Sequence, residues 1–161
     1  MVKHSNIERS FYKFVDENLA VPYSYAVNYG EIRFEANSYD LWLSVVFEEI
    51  GAGAKKFSPV RIDVMSRITT SEFQNDELTA IDRIREVLTN ADISLYDFSS
   101  GSPILVSDEK IIVKNSNGRF TVERILRNNL QEEDLIQNLR RSSVLFRVEL
   151  LTDTVGGRFI S

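Results

Sequence analysis

The hydrophobic and polar positions of the chain follow a helical period at its beginning. Apolar residues recur every three or four positions, at Ile7, Phe11, Phe14, Val15 and Leu19. This spacing predicts an amphipathic helix over residues 6–19 that ends near Val21 and Pro22. Its polar face carries both signs of charge, so we expect the apolar stripe to face the protein core rather than a membrane.

A period of two replaces the helical period after Pro22. Tyr23, Tyr25, Val27 and Tyr29 alternate with other residues and predict an aromatic-rich extended segment. Residues 41–47 are apolar on both sides, which is typical of a central strand. Residues 60–68 alternate between apolar and polar side chains, so we predict a strand with one buried face and one wet face.

The second half of the chain predicts one further helix among several strands. Leu78, Ile81, Ile84 and Leu88 indicate a helix over residues 76–88. We predict strands at 93–98, 104–106, 111–113, 120–126 and 144–150, with turns at 107–110 and 115–118. Residues 129–141 predict a short helix, and residues 152–161 an extended tail.

Composition favours one soluble domain. The 161 residues are 43% hydrophobic, and a chain of this length can bury one substantial core. No apolar run reaches the ~20 residues that span a bilayer, so we expect no membrane partner. The absence of cysteine excludes disulfides and thiolate sites. The net charge of −5 argues against nonspecific binding of nucleic acid.

Two glycines and two lysines after the central strand raise the question of a phosphate-binding loop. Gly51 and Gly53 are too close together for a P-loop, and no Ser or Thr follows Lys55 and Lys56. The next predicted element is also a strand instead of a helix. We therefore interpret the segment as the tip of a β-hairpin, which can dock a partner or simply be a solvated loop.

Catalytic chemistry finds little support in the sequence. His4 is the only histidine and lies near the terminus, which argues against a Ser-His-Asp triad and against a histidine zinc site. Asp97, Asp108 and Lys110 loosely match the acids and lysine of magnesium-dependent nucleases, but a hairpin turn is the better explanation of Asp108 and Lys110. A ligand-binding domain with Tyr23, Tyr25 and Tyr29 as an aromatic wall is a further alternative.

The order of predicted elements resembles that of the tail terminator, or tail completion, proteins of long-tailed bacteriophages. The resemblance depends on the strand pair 42–50 and 57–68, the helix 76–88, the strand 93–98 and the closing strand 143–151. It implies one α+β domain over residues 1–151, with a mixed or antiparallel β-sheet flanked by helices, and a tail at 152–161. The predicted helix at 129–141 is an addition to that pattern.

The resemblance also implies a function without catalysis, cofactor or metal. Such proteins form a hexameric ring that caps the tail tube, stops its polymerisation and joins it to head-completion proteins, while DNA passes through the lumen. We therefore expect a virion protein, assembled in the bacterial cytoplasm, and a head-completion or connector protein is the alternative. Candidate interface residues are Glu49, Gly51, Gly53, Lys55, Lys56, Phe57, Val155, Arg158 and Phe159. Candidate residues of an acidic lumen, which would repel DNA phosphates, are Glu48, Glu49, Glu132, Glu133 and Asp134.

Overall fold

The computed structural model describes residues 4–30, 41–47, 57–67, 72–126, 138–155 and 158–159. Its helices are α1 (His4–Val15), a π-helix (Asp16–Ala20), α2 (Val21–Tyr23) and α3 (Glu72–Leu88). Its strands are β1 (Val27–Tyr29), β2 (Leu41–Phe47), β3 (Phe57–Arg67), β4 (Asp92–Asp97), β5 (Ile104–Leu126), β6 (Asn138–Val155) and β7 (Arg158–Phe159).

The N-terminal helical segment is longer than its periodicity predicts. Helix α1 passes directly into the π-helix and α2, and the segment ends where Ser24 adopts φ 58°. Pro22 is the second residue of α2 and lies within this continuous helical segment, which ends at the next residue, Tyr23. Phe11, Val15 and Leu19 are fully buried, so the predicted stripe is the core-facing side.

One mixed sheet contains six strands of the described residues in the order β1-β2-β3-β6-β5-β4, and β7 pairs with β6. Strands β1 and β2 are parallel, whereas every other neighbouring pair in this order is antiparallel. The predicted fold class, an α+β domain with a mixed sheet flanked by helices, is confirmed.

Helices α1 and α3 cover the same face of this sheet. The register aligns Val45 with Ile62 and Ile62 with Val144, so these three side chains form one row beneath the helices. They join one core cluster with Phe11 of α1 and Ile84 of α3. Each such buried aliphatic or aromatic side chain contributes about 1.5–3 kcal/mol, which makes this face the main source of stability.

Three sequence predictions about the later strands are wrong. The predicted turns at 107–110 and 115–118 are parts of one continuous strand, β5. Four residues of β5, 116–119, lie opposite the single residue Leu145 of β6, so the Asn-Gly pair occupies a bulge and not a hairpin. The predicted helix at 129–141 fails at residues 138–141, which belong to β6, and residues 127–137 lie outside the described residues.

The other strand predictions differ mainly in extent. Helix α3 begins four residues before its predicted start, and β2 and β4 match their predicted segments closely. The face of β3 predicted to be exposed to solvent is only partly exposed, because Asp63 on that face has an exposed fraction of 3%. The segment predicted as a tail contains the last four residues of β6 and both residues of β7.

Candidate functional site

Two polar side chains of α1 bond to the backbone at the C-terminal end of β4 and just beyond it, along its outer edge. The Tyr96 N–H donates to Ser10 Oγ at 2.9 Å, and the Ser10 hydroxyl donates back to the Tyr96 carbonyl at 3.5 Å. The Phe98 N–H donates to Asn6 Oδ1 at 3.2 Å. These backbone groups would otherwise be available to a strand from another molecule. Helix α1 therefore takes the place of a neighbouring strand.

The sequence places both side chains on one side of α1 because they are four residues apart. Asn6 and Ser10 are buried beside the apolar stripe of the helix. The sequence alone does not indicate this role. The only signal was two small polar residues with an i, i+4 spacing next to core positions, which does not distinguish an edge contact from an ordinary helix boundary.

The edges elsewhere in the sheet differ from that of β4. Strand β1 ends the sheet on the other side and pairs with β2 alone among the described residues. Strand β4 pairs with β5 only from Ile104 to Ile112, whereas β5 continues to Leu126 along β6. Among the described strands, the second half of β5 therefore forms an edge of its own beyond the end of β4.

A row of polar residues crosses the far face of the sheet, the side away from α1 and α3. The register aligns Asn28 of β1, Ser44 of β2, Asp63 of β3 and Ser143 of β6. The Ser143 hydroxyl donates to Asp63 Oδ1 at 2.6 Å. Asn28 is 7% exposed, and its Oδ1 has no hydrogen-bond donor among the described residues. The row therefore contains hydrogen-bond acceptors, and its members Asn28, Asp63 and Ser143 are buried from solvent.

Ion pairs surround this polar row. Arg61 Nε lies 2.9 Å from Asp63 Oδ1 and 3.1 Å from its Oδ2, so the buried carboxylate has a charged partner. Further along the same face, Glu149 binds both Lys114 and Arg147 at 3.1 Å. The far face is thus a network of opposite charges rather than a field of one sign, which suits specific contact with protein better than attraction of phosphates.

The predicted tyrosine wall is divided into two separate clusters. Arg83 lies 4.3 Å above the Tyr23 ring, and its Nη1 donates to the Tyr25 hydroxyl at 2.8 Å. Tyr29 instead packs against Tyr12 with ring centroids 5.0 Å apart, and its hydroxyl donates to Asp16 at 3.4 Å. Both clusters connect the helices to β1 and its entry segment. The geometry is that of packing contacts, not of one ligand pocket.

The residues of the nuclease alternative are not brought together either. Asp97 Oδ1 accepts from the Ser99 N–H at 2.9 Å and from Asn6 at 3.4 Å. The Lys110 ammonium binds Asp92 at 2.7 Å, across the β4–β5 pair. Asp108 is exposed on β5. Within the described ranges, no group of three His, Cys, Asp or Glu side chains could hold a metal ion.

Few of the predicted assembly residues can be placed. All five candidate lumen residues and five of the candidate interface residues lie outside the described residues: Glu48, Glu49, Gly51, Gly53, Lys55, Lys56, Glu132, Glu133 and Asp134, with Glu49 common to both sets. Phe57 begins β3 and pairs with Glu149. Val155 pairs with Arg158, and Phe159 pairs with Asp153, so the C-terminal candidates form one small hairpin.

Burial shifts the titration of two tyrosines near the helices and of one glutamate on β5. Burial, with the nearby Glu8 charge, raises the pKa of Tyr12 to about 12. Burial raises the pKa of Tyr29 as well, assisted by the charge of Asp16 and the hydrogen bond to it. Burial followed by repulsion from Asp108 raises the pKa of Glu109. Each shift favours the neutral form, as expected for groups that pack against apolar neighbours.

Comparison with known proteins adds no family to this picture. No protein-family model matches the chain, and no curated protein has a significantly similar sequence. Among the described residues, no helix combines the length and apolar character needed to cross a membrane.

Proposed function

We propose that this chain is a non-enzymatic structural protein of a bacteriophage virion, a tail terminator that forms a ring at the top of the tail tube. The ring stops tube polymerisation and joins the tail to a head-completion or neck protein. Its partners are copies of itself, most simply six, together with the tube protein and the neck protein. DNA passes through the lumen without specific binding.

The observation that carries this proposal is the difference between the two ends of the sheet. A closed ring needs two unlike surfaces on each copy, because the contact between neighbours is heterologous. One end of the sheet is the three-residue strand β1, and the other combines the closed edge of β4 with the extended edge of β5. A molecule built in this way has the asymmetry that a ring requires. Its α+β fold also agrees with the resemblance to tail terminators.

The exposed apolar side chains give a second reason to expect protein partners. Ile104 and Leu105, at the start of β5, are 57% and 58% exposed. They follow the turn after β4, and as neighbours on a strand they point to opposite faces of the sheet. Each therefore exposes an aliphatic side chain on a different face. In the proposed ring they would contact the tube or neck protein.

The mass of the native particle, combined with electron microscopy of purified tails, tests the proposal. We expect the mass of six 18.5-kDa chains by light scattering, and ring density at one end of tail tubes in negative stain. Binding to empty heads but not to tubes would assign the chain to the neck instead. A monomer that binds neither structure would contradict the proposal.

A nuclease assay tests the non-enzymatic part. We expect DNA to stay intact with the protein and magnesium, because Asp97 and Lys110 are engaged in separate contacts. The matched variant is Asp108→Ala, which changes only an exposed side chain. Cleavage by the unmodified protein that this variant abolishes would contradict a purely structural role.

A further inference from the structure

We propose that successive copies of this chain join head to tail by main-chain pairing between the outer edge of β1 in one copy and the outer edge of β5, over residues 120–126, in the next. The inference rests on the proposed ring and specifies the atoms that make its contacts. It joins the two ends of the sheet, so that the sheets of neighbouring copies become continuous.

Among the described residues, the outer edge of β5 is unpaired beyond the end of β4. In the part of β5 before the bulge, the Val113 N–H points away from β6 and donates to the Ala91 carbonyl, just before β4, at 3.0 Å. Residues 120–126 pair with β6 on one side, from Val144 to Asn138. On their other side, no described strand pairs with them. A seven-residue strand with one open side is long enough to accept a neighbouring strand.

The backbone groups that point outward follow from the alternation of hydrogen bonds across the sheet. On β2, the Leu43 N–H and the Val45 carbonyl bond to β1, so the even-numbered residues of β2 bond to β3. The even-numbered residues of β2 pair with odd-numbered residues of β3, such as Asp63, so the backbone groups of the odd residues of β3 point towards β2. The backbone groups of the even residues of β3 therefore point towards β6. There, Ile62 pairs with Val144, which is also even-numbered.

The same alternation carried across β6 identifies the outward groups of β5. The odd residues of β6 bond to β5, and Ser143 and Arg141 pair with Thr121 and Glu123. Odd residues of β5 in this half therefore face β6. The N–H and C=O groups that face outward belong to Phe120, Val122, Arg124 and Leu126. Val113, whose N–H points outward in the first half, pairs with an even residue of β6 and fits the same rule.

The outward groups of β1 complete the match. The Ala26 carbonyl and the Gly30 N–H bond to β2, so the groups of Val27 and Tyr29 point away from the sheet. Within the described residues, no strand accepts them. The edge of β4 is less suited to this pairing, because Ser10 already bonds to both backbone groups of Tyr96. Among the described residues, one unpaired edge at each end of the sheet allows a head-to-tail contact, the kind that closes into a ring.

Proline substitutions on the two sides of β5 test this pairing. Val122→Pro removes an outward N–H and leaves the ladder to β6 intact, so we expect an unchanged Tm and loss of the ring by native mass. The matched control, Thr121→Pro, removes an N–H that faces β6, and we expect a lower Tm. A ring that forms normally with Val122→Pro, at wild-type concentration, would overturn the inference.

Cysteine cross-linking provides a test that does not depend on the proline variants. The chain has no cysteine, so Val27→Cys can be combined in turn with cysteine at positions 120, 122, 124 and 126. We expect one double variant to give a disulfide ladder up to the full ring, and each single variant to remain uncrosslinked. A dimer formed by Val122→Cys alone would show β5 pairing with itself and would overturn the inference. A ring without a ladder in any combination would also overturn it while leaving the proposed function in place, whereas the absence of rings and of tube binding would contradict the proposed function itself.

Discussion

Ser10 and Tyr96 form a reciprocal pair in which one hydroxyl satisfies both backbone groups of a residue at the sheet edge. The hydroxyl accepts from the Tyr96 N–H at 2.9 Å and donates to its carbonyl at 3.5 Å. Ser10 is 1% exposed, so water cannot readily replace it. The contact therefore both anchors α1 to the sheet and prevents a foreign strand from pairing at β4.

Removal of this hydroxyl should destabilise the fold and open the edge. We expect Ser10→Ala to lower the free energy of unfolding by about 1–3 kcal/mol, because two buried backbone groups lose their partner. Urea titration measures the loss, and light scattering over time should show faster aggregation. Ser94→Ala, on the exposed side of β4, is the matched control and should change neither. Equal stability of the two variants would contradict the closing role of Ser10.

A buried carboxylate connects α3 to the sheet. Glu77 is 2% exposed, and it accepts hydrogen bonds from the hydroxyls of Ser66 on β3, at 3.2 Å, and Ser142 on β6. We expect Ser142→Ala to cost about 1–3 kcal/mol, since Glu77 stays buried with one donor fewer. A double-mutant cycle with Glu77→Gln should show that the two changes are not additive. Additive losses would mean that the hydroxyl does not stabilise the carboxylate.

The stability of the protein should depend on Asp63, the charged member of the polar row on the far face. Asp63 accepts from Ser143 and is paired with Arg61. We expect Asp63→Ala to lower the free energy of unfolding by about 1–3 kcal/mol, because the buried Ser143 hydroxyl loses its acceptor, while the Arg61 side chain is 27% exposed and can be solvated. Thermal denaturation followed by circular dichroism measures it. Asp92→Ala removes an exposed partner of Lys110 and should cost about 0–1 kcal/mol. Similar losses in the two variants would argue against the buried character of Asp63.

Alkaline pH should destabilise the protein through Tyr12. Its pKa is raised from 10.0 to about 12, so the folded state holds the phenol proton more tightly than the unfolded state. The contribution to stability is present below pH 10 and is lost as pH rises towards 12. Ultraviolet titration should show late tyrosinates from both Tyr12 and Tyr29. Tyr12→Phe should remove one of them and reduce, without abolishing, the fall in stability over this range. An unchanged slope in Tyr12→Phe would place the effect on another group.

The periodic parts of the sequence predicted most helices and strands, whereas the polar contacts between them could not be predicted from the sequence. Helix α3 and strands β2, β3 and β4 were evident because burial on one or both faces leaves a regular apolar pattern. The bulge in β5 was misread because Asn115 to Gly118 has the chemistry of a hairpin turn, while pairing with β6 outweighs that local preference. Likewise, residues 138–141 have charges typical of a helix end but are held in β6 by β3 and β5.

The candidate site could be predicted only in its general character. An edge contact such as that of Asn6 with Phe98 joins residues 92 positions apart, and no local pattern encodes it. The row from Asn28 to Ser143 similarly exists only through the strand order, which places β6 between β3 and β5. The interface residues that the sequence suggested stay a prediction, and the strand edges proposed above are additional to them.

The four residues of β5 that lie opposite Leu145 have a consequence for the geometry of any assembly. A bulge bends its strand and increases the local twist, so residues 120–126 run in a direction different from that of the first half of β5. If this part of β5 receives the next copy, the bend determines the angle between successive subunits. Shortening the bulge would then alter the curvature of the circle and the number of chains needed to close it.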